Sequence, residues 1–319
     1  MHKPARLSIG RPGLLTTVQD LGRFGFRRFG MPASGAMDLP ALRLANRLVG
    51  NPDASAVLEM TIQGPELVLE HDAVIAITGA DLSPAIDGAP VPNWTTLAIK
   101  NGRRLAFGAR RSGARAYLAI AGGFEVPMVL GSRSTHLRSH IGGFLGRALR
   151  EGDELVAGIT PAEDHTRIGT TVPQEIRPIY NADPTVRIVL GPQLEHFTED
   201  AVRTLTHNRY TISPQSDRMG YRMAGPPLAH TGTPDIVSDA TPPGAIQVPA
   251  SQQPILLMVE CQTTGGYPKI GVVISVDLPL AAQLVPGDRL GFEVIGVAEA
   301  REAACRQRNR LDHAVPAFS

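Results

Sequence analysis

The sequence predicts a mainly β protein with a few short helices. Three observations carry that prediction: the apolar runs are short and closely spaced, turn-forming residues separate them, and only three segments repeat apolar residues at helical spacing. The 33 glycines and 27 prolines make about a fifth of the 319 residues, where roughly 12% is usual, and only 19% of residues are charged. Residues 66–70 alternate through Leu67 and Leu69, while 74–77, 186–190, 255–259 and 272–276 are continuous apolar runs; all read as strands. The first helix has Asp38 as N-cap, Pro40 in its first turn, Leu42, Ala45, Leu48 and Val49 on one side and Gly50 just past its end. The second places Leu194, Phe197, Ala201 and Leu205 at helical spacing, and the third runs from Asp277 and Pro279 to Pro286-Gly287, repeating the Asp-Leu-Pro start of the first. From Glu299 the tail carries Arg301, Arg306, Arg308 and Arg310 and reads as a solvated helix or a frayed end.

The phrase Gly-x-x-Leu recurs at Gly102–Leu105, Gly152–Leu155 and Gly287–Leu290, twice as Gly-Asp-x-Leu, and reads as a tight turn feeding a strand. Residues 159–183 are polar, contain proline and lack periodicity, which makes them a candidate linker.

With 31 basic and 30 acidic side chains the net charge is +1, which argues against nucleic acid or an anionic membrane as the main partner. No run approaches the ~18 apolar residues of a membrane span, and residues 1–13 lack the apolar stretch of a secretory signal, so a cytoplasmic location is expected. Cys261 and Cys305 are far apart and support neither a disulfide framework nor a structural zinc site. Also missing are a GxxxxGK[ST] phosphate loop, HExxH, GxSxG and a strand-to-helix GxGxxG. Of the three lysines, Lys3, Lys100 and Lys269, none lies in a biotin carrier's Ala-Met-Lys-Met phrase, so any biotin must arrive on another chain.

Four polar, glycine-rich stretches remain as candidates for chemistry. In the first, Gln19, Asp20, Arg23 and Ser34 offer donors and acceptors to a small polar ligand, or else cap their own loop; Asp38 reads as a helix cap. In the second, Arg133, beside Ser134, and its neighbouring arginines suit a carboxylate or phosphate, whereas His136 and His140 make a poor metal site because no carboxylate lies between them. The third holds Asp217 next to Arg218, which reads most simply as an ion pair orienting a loop. The fourth, Cys261-Gln262-Thr263-Thr264-Gly265-Gly266-Tyr267-Pro268-Lys269, follows the strand at 255–259 and is the best active-site candidate. There Lys269 would neutralise an anionic intermediate or carry a proton, and Cys261 reads as a buried, inert thiol.

Five ordered phrases carry a resemblance: Thr-Val-Gln-Asp-Leu-Gly-Arg at 17–23, Ser-Gly-Ala-Met-Asp at 34–38 with Leu-Ala-Asn-Arg-Leu-Val-Gly-Asn at 44–51, Gly-Ser-Arg-Ser-Thr at 131–135, Ser-Asp-Arg-Met-Gly at 216–220 and Gln-Thr-Thr-Gly-Gly-Tyr-Pro at 262–268. From about residue 6 to 292 the chain resembles the A/B half of the biotin-dependent carboxyltransferase family, the KipA/PxpC group that also includes part of urea carboxylase. The resemblance implies two cyclophilin-like β-barrel subdomains, expected at 1–165 and 184–298, with a tail at 299–319. It implies an ATP-dependent 5-oxoprolinase complex hydrolysing 5-oxoproline to glutamate, in which this chain is one component beside a KipI/PxpB-type and a PxpA-type (LamB/YcsF) subunit. Half of a biotin-dependent urea or amide carboxyltransferase, with biotin on a separate chain, and a KipA-like regulator that sequesters a KipI-like partner stay open. Under the first reading Lys269, Thr263, Thr264 and Gln262 would be catalytic, and Gln19, Asp20, Arg23, Ser34, Arg133, Ser134, Asp217, Arg218 and Tyr267 would bind substrate. Cys261 stands where the family pattern leads one to expect an Asp.

Overall fold

The computed structural model describes residues 5–158 and 167–315. The chain forms two compact units, one of Met1–Arg23, Ser34–Ile179 and Asn309–Ser319, the other of Phe24–Ala33 and Tyr180–Arg308.

In chain order the first unit contains β1 (Arg6–Arg11), β2 (Leu15–Gln19), α1 (Leu39–Leu48), β3 (Val57–Thr61), β4 (Glu66–Leu69), β5 (Ala73–Asp81), β6 (Pro84–Ile86), β7 (Ala89–Pro90), β8 (Thr96–Ile99), β9 (Arg104–Phe107), β10 (Ser112–Ile120) and β11 (Glu154–Val156). These strands form two antiparallel sheets, ordered β11-β1-β4-β9-β6-β7 and β2-β3-β10-β5-β8. One core joins them, with Leu7, Ile9, Leu67 and Leu69 from the first sheet meeting Leu58, Met60, Ile75, Ile77, Leu118 and Ile120 from the second. Each such side chain stabilises the fold by ~2 kcal/mol relative to exposure. The apolar run at 74–77 is continuous because β5 is covered on both faces: Ile75 and Ile77 face the core, while the Thr78 hydroxyl donates to the Ala41 carbonyl of α1 (2.7 Å).

Helix α1 starts and stops where its residues say it should. The Asp38 carboxylate accepts from the Ala41 N–H (3.0 Å), Pro40 sits in the first turn, and Gly50 beyond the end adopts φ 79. The same Asp-Leu-Pro start serves differently before the third helix. There Asp277 leaves the helix end uncapped and instead accepts from the Arg187 N–H (2.8 Å) and guanidinium (2.7 and 2.8 Å).

The second unit contains β12 (Thr185–Leu190), α2 (Glu199–His207), β13 (Tyr210–Ile212), β14 (Gly220–Ala224), β15 (Asp239–Ala240), β16 (Ala245–Gln247), β17 (Ile255–Leu257), β18 (Thr264–Gly265), β19 (Lys269–Val273), α3 (Leu278–Ala282) and β20 (Arg289–Val294), then α4 (Val297–Ala314), whose last residues group with the first unit. Seven strands close a barrel in the order β12-β19-β16-β17-β14-β13-β20, with β20 returning parallel to β12; β15 and β18 form a separate two-stranded ribbon. Several elements differ from the sequence reading: the strand expected at 255–259 ends at Leu257, and the third helix, expected to run to Pro286-Gly287, ends at Ala282. The strand expected at 272–276 starts at Lys269 and ends at Val273, because Ile274 and Val276 leave the sheet and pack with Ile295, Ala300 and Ala303. The second helix begins only at Glu199, capped by Thr198, since Phe197 has extended backbone.

Of the stretch read as a linker, 159–166 lie outside the described residues. Residues 167–179 run along the first unit, where Thr96 donates to Thr170 O (2.8 Å), Val172 donates to Trp94 O (2.9 Å) and the Val172 side chain is fully buried, and 180–183 group with the second unit.

The recurring turn phrase has one geometry at all three places. Gly102, Gly152 and Gly287 have φ of 76, 82 and 94, the left-handed region that favours glycine. The next residue donates to the carbonyl three back, as Arg103 to Lys100 (3.1 Å), Asp153 to Arg150 (3.2 Å) and Asp288 to Val285 (3.0 Å). In the two Gly-Asp copies the carboxylate also accepts from the N–H that opens the turn, Arg150 (2.7 Å) and Val285 (2.9 Å). The phrase is a glycine turn that occurs in both units, and its two Gly-Asp copies cap themselves.

Arg147 grips Asp153 with two further bonds (2.6 and 2.7 Å) and, as the largest influence, holds its carboxyl below the ordinary range. A depressed carboxylate stabilises the fold above its unfolded pKa, and the contribution is lost as pH falls through the folded one. Asp153→Asn is therefore expected to lower unfolding free energy by about 1–2 kcal/mol at pH 7. Denaturant unfolding at pH 7 and at about pH 3 checks this: the gap between variant and wild type should narrow in acid.

Candidate functional site

Most of the residues singled out in the sequence gather into two clusters, one in each unit, and Asp217 and Arg218 lie outside both. In the first unit the polar stretch after β2 meets the stretch at 131–136. Asp20 is buried, and its carboxylate accepts from Gly22 N (2.8 Å), Arg133 N (2.6 Å), the Ser132 hydroxyl (2.7 Å) and the Ser134 hydroxyl. Gln19, wholly buried, donates to the Thr17 hydroxyl (3.0 Å) and Thr135 O (3.2 Å). Arg23, also wholly buried, donates to Val129 O (3.2 Å) and Ser134 O (2.6 Å), and Arg133 Nε donates to Val126 O (3.1 Å). Ser34 is buried in the left-handed region (φ 55), and neither its hydroxyl oxygen nor Gln19 Oε1 has a hydrogen-bond partner among the described residues. Most of this cluster's donors and acceptors thus serve to tie loops together.

His136 and His140 flank a single 3-10 turn at Leu137–Ser139, so they share no helical face. Among the described residues no group of three or more His, Cys, Asp or Glu could hold a metal ion.

In the second unit the phrase following β17 forms the other cluster. The Lys269 side chain is only 3% exposed, and its ammonium donates to Asp239 Oδ2 (2.7 Å) and Ala240 O (3.0 Å). Gln193 joins both partners, accepting from Lys269 N (3.2 Å) and donating to Asp239 Oδ2 (3.1 Å). The β15–β18 ribbon sets Asp239 opposite Gly265 and Ala240 opposite the exposed Thr264, while Thr263 O accepts from Thr241 N (3.2 Å). Gln262 donates to Gln247 Oε1 (3.2 Å), and Gln247 in turn donates to the carbonyl of the exposed Tyr267 (3.4 Å). Gly265 permits this packing, since a Cβ there would stand 2.6 Å from Gln247 Nε2 and 3.0 Å from Thr241 Cγ2.

Cys261 is fully buried and donates to Thr241 O (3.4 Å); burial pushes its thiol up, against a smaller opposing effect of Arg27. A thiol held protonated is no nucleophile. Arg27 braces the same segment through Thr241 O (2.6 Å). Asp217 and Arg218 do not pair with each other. Asp217 accepts from Met219 N (2.7 Å) and Gly220 N (3.2 Å), while Arg218 forms a buried ion pair with Glu260 (2.7 Å).

The sequence reading missed Asp239, Gln193, Gln247, Thr241, Arg27 and Glu260. Asp239 lies 30 residues before Lys269, and Gln193 lies 76 before it, in segments with no chemical motif. The side chain of Asp239 is 48% exposed, and Lys269 as the largest influence holds its carboxyl below the ordinary range. The surface here therefore presents an ionised acceptor on a ribbon whose facing strand places Gly265 opposite it, a group suited to an N–H donor of a small polar molecule.

Comparison with known proteins identifies the family. The family described as carboxyltransferase domain, subdomain A and B, matches residues 29–294. The chain is 38% identical over 306 residues to the C subunit of 5-oxoprolinase from Escherichia coli, covering 96% of each chain, and 38% identical over 298 residues to the Haemophilus influenzae protein of the same name, covering 92% of each. The crystal structure of K. lactis urea amidolyase superposes with a TM-score of 0.92 at 31% identity over 98% of this chain, which corresponds to 20% of that longer one. The chain belongs to the carboxyltransferase A/B-domain family.

Proposed function

We propose that this protein is the C subunit of an ATP-dependent 5-oxoprolinase that hydrolyses 5-oxoproline to glutamate, acting with a KipI/PxpB-type and a PxpA-type partner. The observation that carries the reading is the end-to-end match to the 5-oxoprolinase C subunit of Escherichia coli, which covers 96% of both chains. The match to urea amidolyase covers only a small part of that longer protein.

Opening a lactam requires its amide to be held and polarised, because resonance resists attack by water. The second-unit cluster supplies an acceptor for the N–H in Asp239, and Gln262 and Thr263 are the donors assigned to the carbonyl, since Thr264 pairs with Ala240 on the other face of the ribbon. It does not suit a nucleotide phosphate: Lys269, its lysine, is enclosed and already paired with Asp239. The nucleotide is therefore assigned to the partner subunits, and this chain's part is to bind and orient the amide.

A second reading, half of a carboxyltransferase acting on urea with biotin on a separate chain, draws on the TM-score of 0.92 to urea amidolyase. Both readings use the same amide-binding face, and dependence on biotin separates them.

Co-expression with the two companion subunits, omitting each in turn, tests the leading reading. Glutamate and ADP are expected from 5-oxoproline only when this chain is present, and an intact complex without turnover rules the reading out. Lys269→Ala is expected to cost ~10²-fold in turnover, and a loss below about tenfold removes Lys269 from the site. Arg218→Ala is instead expected to act on the fold, lowering unfolding free energy by about 3–5 kcal/mol because Glu260 is left buried and unpaired. Replacing both partners by Met should recover most of that stability in denaturant titrations.

A further inference from the structure

We infer that Asp239, not Lys269, is the group through which this site meets its substrate, its carboxylate accepting a hydrogen bond from the N–H of an amide. The inference rests on the reading that the second-unit cluster is an amide-binding face.

Accessibility decides between the two residues. They share a 2.7 Å ion pair, yet the Asp239 side chain is 48% exposed and that of Lys269 only 3%. The lysine is enclosed by the very strand that carries Asp239, since its second bond goes to Ala240 O. A ligand arriving from solvent meets the carboxylate, with the ammonium behind it. Lys269 is then a positioning residue: it fixes the carboxylate and keeps it ionised.

The carboxylate also has capacity to spare. Oδ2 accepts from Lys269 and from Gln193, whereas Oδ1 accepts only from Ala240 N (2.7 Å) among the described residues. A carboxylate oxygen has about two lone-pair directions, so Oδ1 retains one.

Charge and neighbours then narrow the ligand. The Lys269–Asp239 pair is neutral as a unit, which gives little attraction to a free cation and none to an anion at Asp239. A neutral N–H donor gains a charge-assisted hydrogen bond there. On the facing strand β18 it is Gly265, without a side chain, that lies directly across from Asp239, while the exposed Thr264 pairs with Ala240 and so belongs to the other face of the ribbon. An ionised acceptor with one lone-pair direction to spare fits the N–H of a lactam or of urea.

The test uses the assembled complex. Binding of 5-oxoproline and of N-methyl-5-oxoproline, which lacks the N–H, is measured by calorimetry for the wild type, for Asp239→Asn and for the double variant Asp239→Asn/Lys269→Met, which removes both charges and so avoids a lone buried ammonium. Melting temperatures establish that each variant is folded. The wild type is expected to prefer 5-oxoproline by about tenfold or more, the worth of one charge-assisted hydrogen bond, and both variants to lose that preference while binding the N-methyl compound within about twofold of wild type. A folded variant that keeps wild-type affinity and preference overturns the inference and leaves the 5-oxoprolinase reading standing. A wild-type complex that neither binds nor turns over 5-oxoproline overturns that reading instead. The same variants are then titrated with urea, where an unchanged affinity, or no binding by the wild type, overturns the role of Asp239 as well.

Discussion

A lysine ammonium cannot be enclosed without an answering charge. Removing it from water costs several kcal/mol, and the penalty is met only by a close counter-ion and by hydrogen bonds to its remaining protons. Lys269 lies at the start of a barrel strand with its side chain covered, and the surrounding architecture follows from that. Asp239 and Ala240 must sit over it, so β15 crosses the strand's end; β18 pairs with β15 and brings Thr264 and Gly265 alongside; Gln193 links the carboxylate to the strand backbone. The outward face of this arrangement is a half-exposed carboxylate. A feature that begins as charge compensation thus ends as the proposed means of recognition.

The first unit meets the same constraint with the opposite sign. Asp20 is buried with no ion pair among the described residues and is satisfied by two backbone N–H groups and two hydroxyls. Nearby, the buried Glu59 carboxylate accepts from Met37 N and from the Tyr117 hydroxyl (2.8 Å each), and that hydroxyl accepts from Asp38 N (2.8 Å). Burial pushes the Tyr117 phenol well above its ordinary range, so it stays protonated and can donate. These bonds fix the Ser-Gly-Ala-Met-Asp phrase at the entrance to α1. Its residues are those of a loop that must be held rigid, whether or not a ligand touches it.

What was legible in the sequence was local. Asp38, Pro40 and Gly50 delimit α1 because each acts within a few residues of itself, and the Gly-x-x-Leu turns form as written because glycine's backbone freedom and the Asp side chain act within one turn. Long-range pairing was not legible. Asp217 and Arg218 are adjacent yet have separate partners, and Glu260, the true partner of Arg218, lies 42 residues away. The strand expected at 272–276 was displaced because Ile274 and Val276 are apolar for the sake of packing beneath α4, a demand that periodicity does not reveal. The phrase Gln-Thr-Thr-Gly-Gly-Tyr-Pro-Lys is legible in the sequence, but Asp239, which pairs with its lysine, sits in a segment with no periodicity or motif.

The central claim is that the Lys269 ammonium is an internal counter-charge. Brief treatment of the folded chain with an amine-acylating reagent, read by peptide mass spectrometry, tests it most directly. Lys100, whose side chain is 72% exposed, should be modified readily while Lys269 is protected, and Asp239→Ala should raise the reactivity of Lys269. Modification of Lys269 at the rate of Lys100 in the wild-type protein would contradict the account.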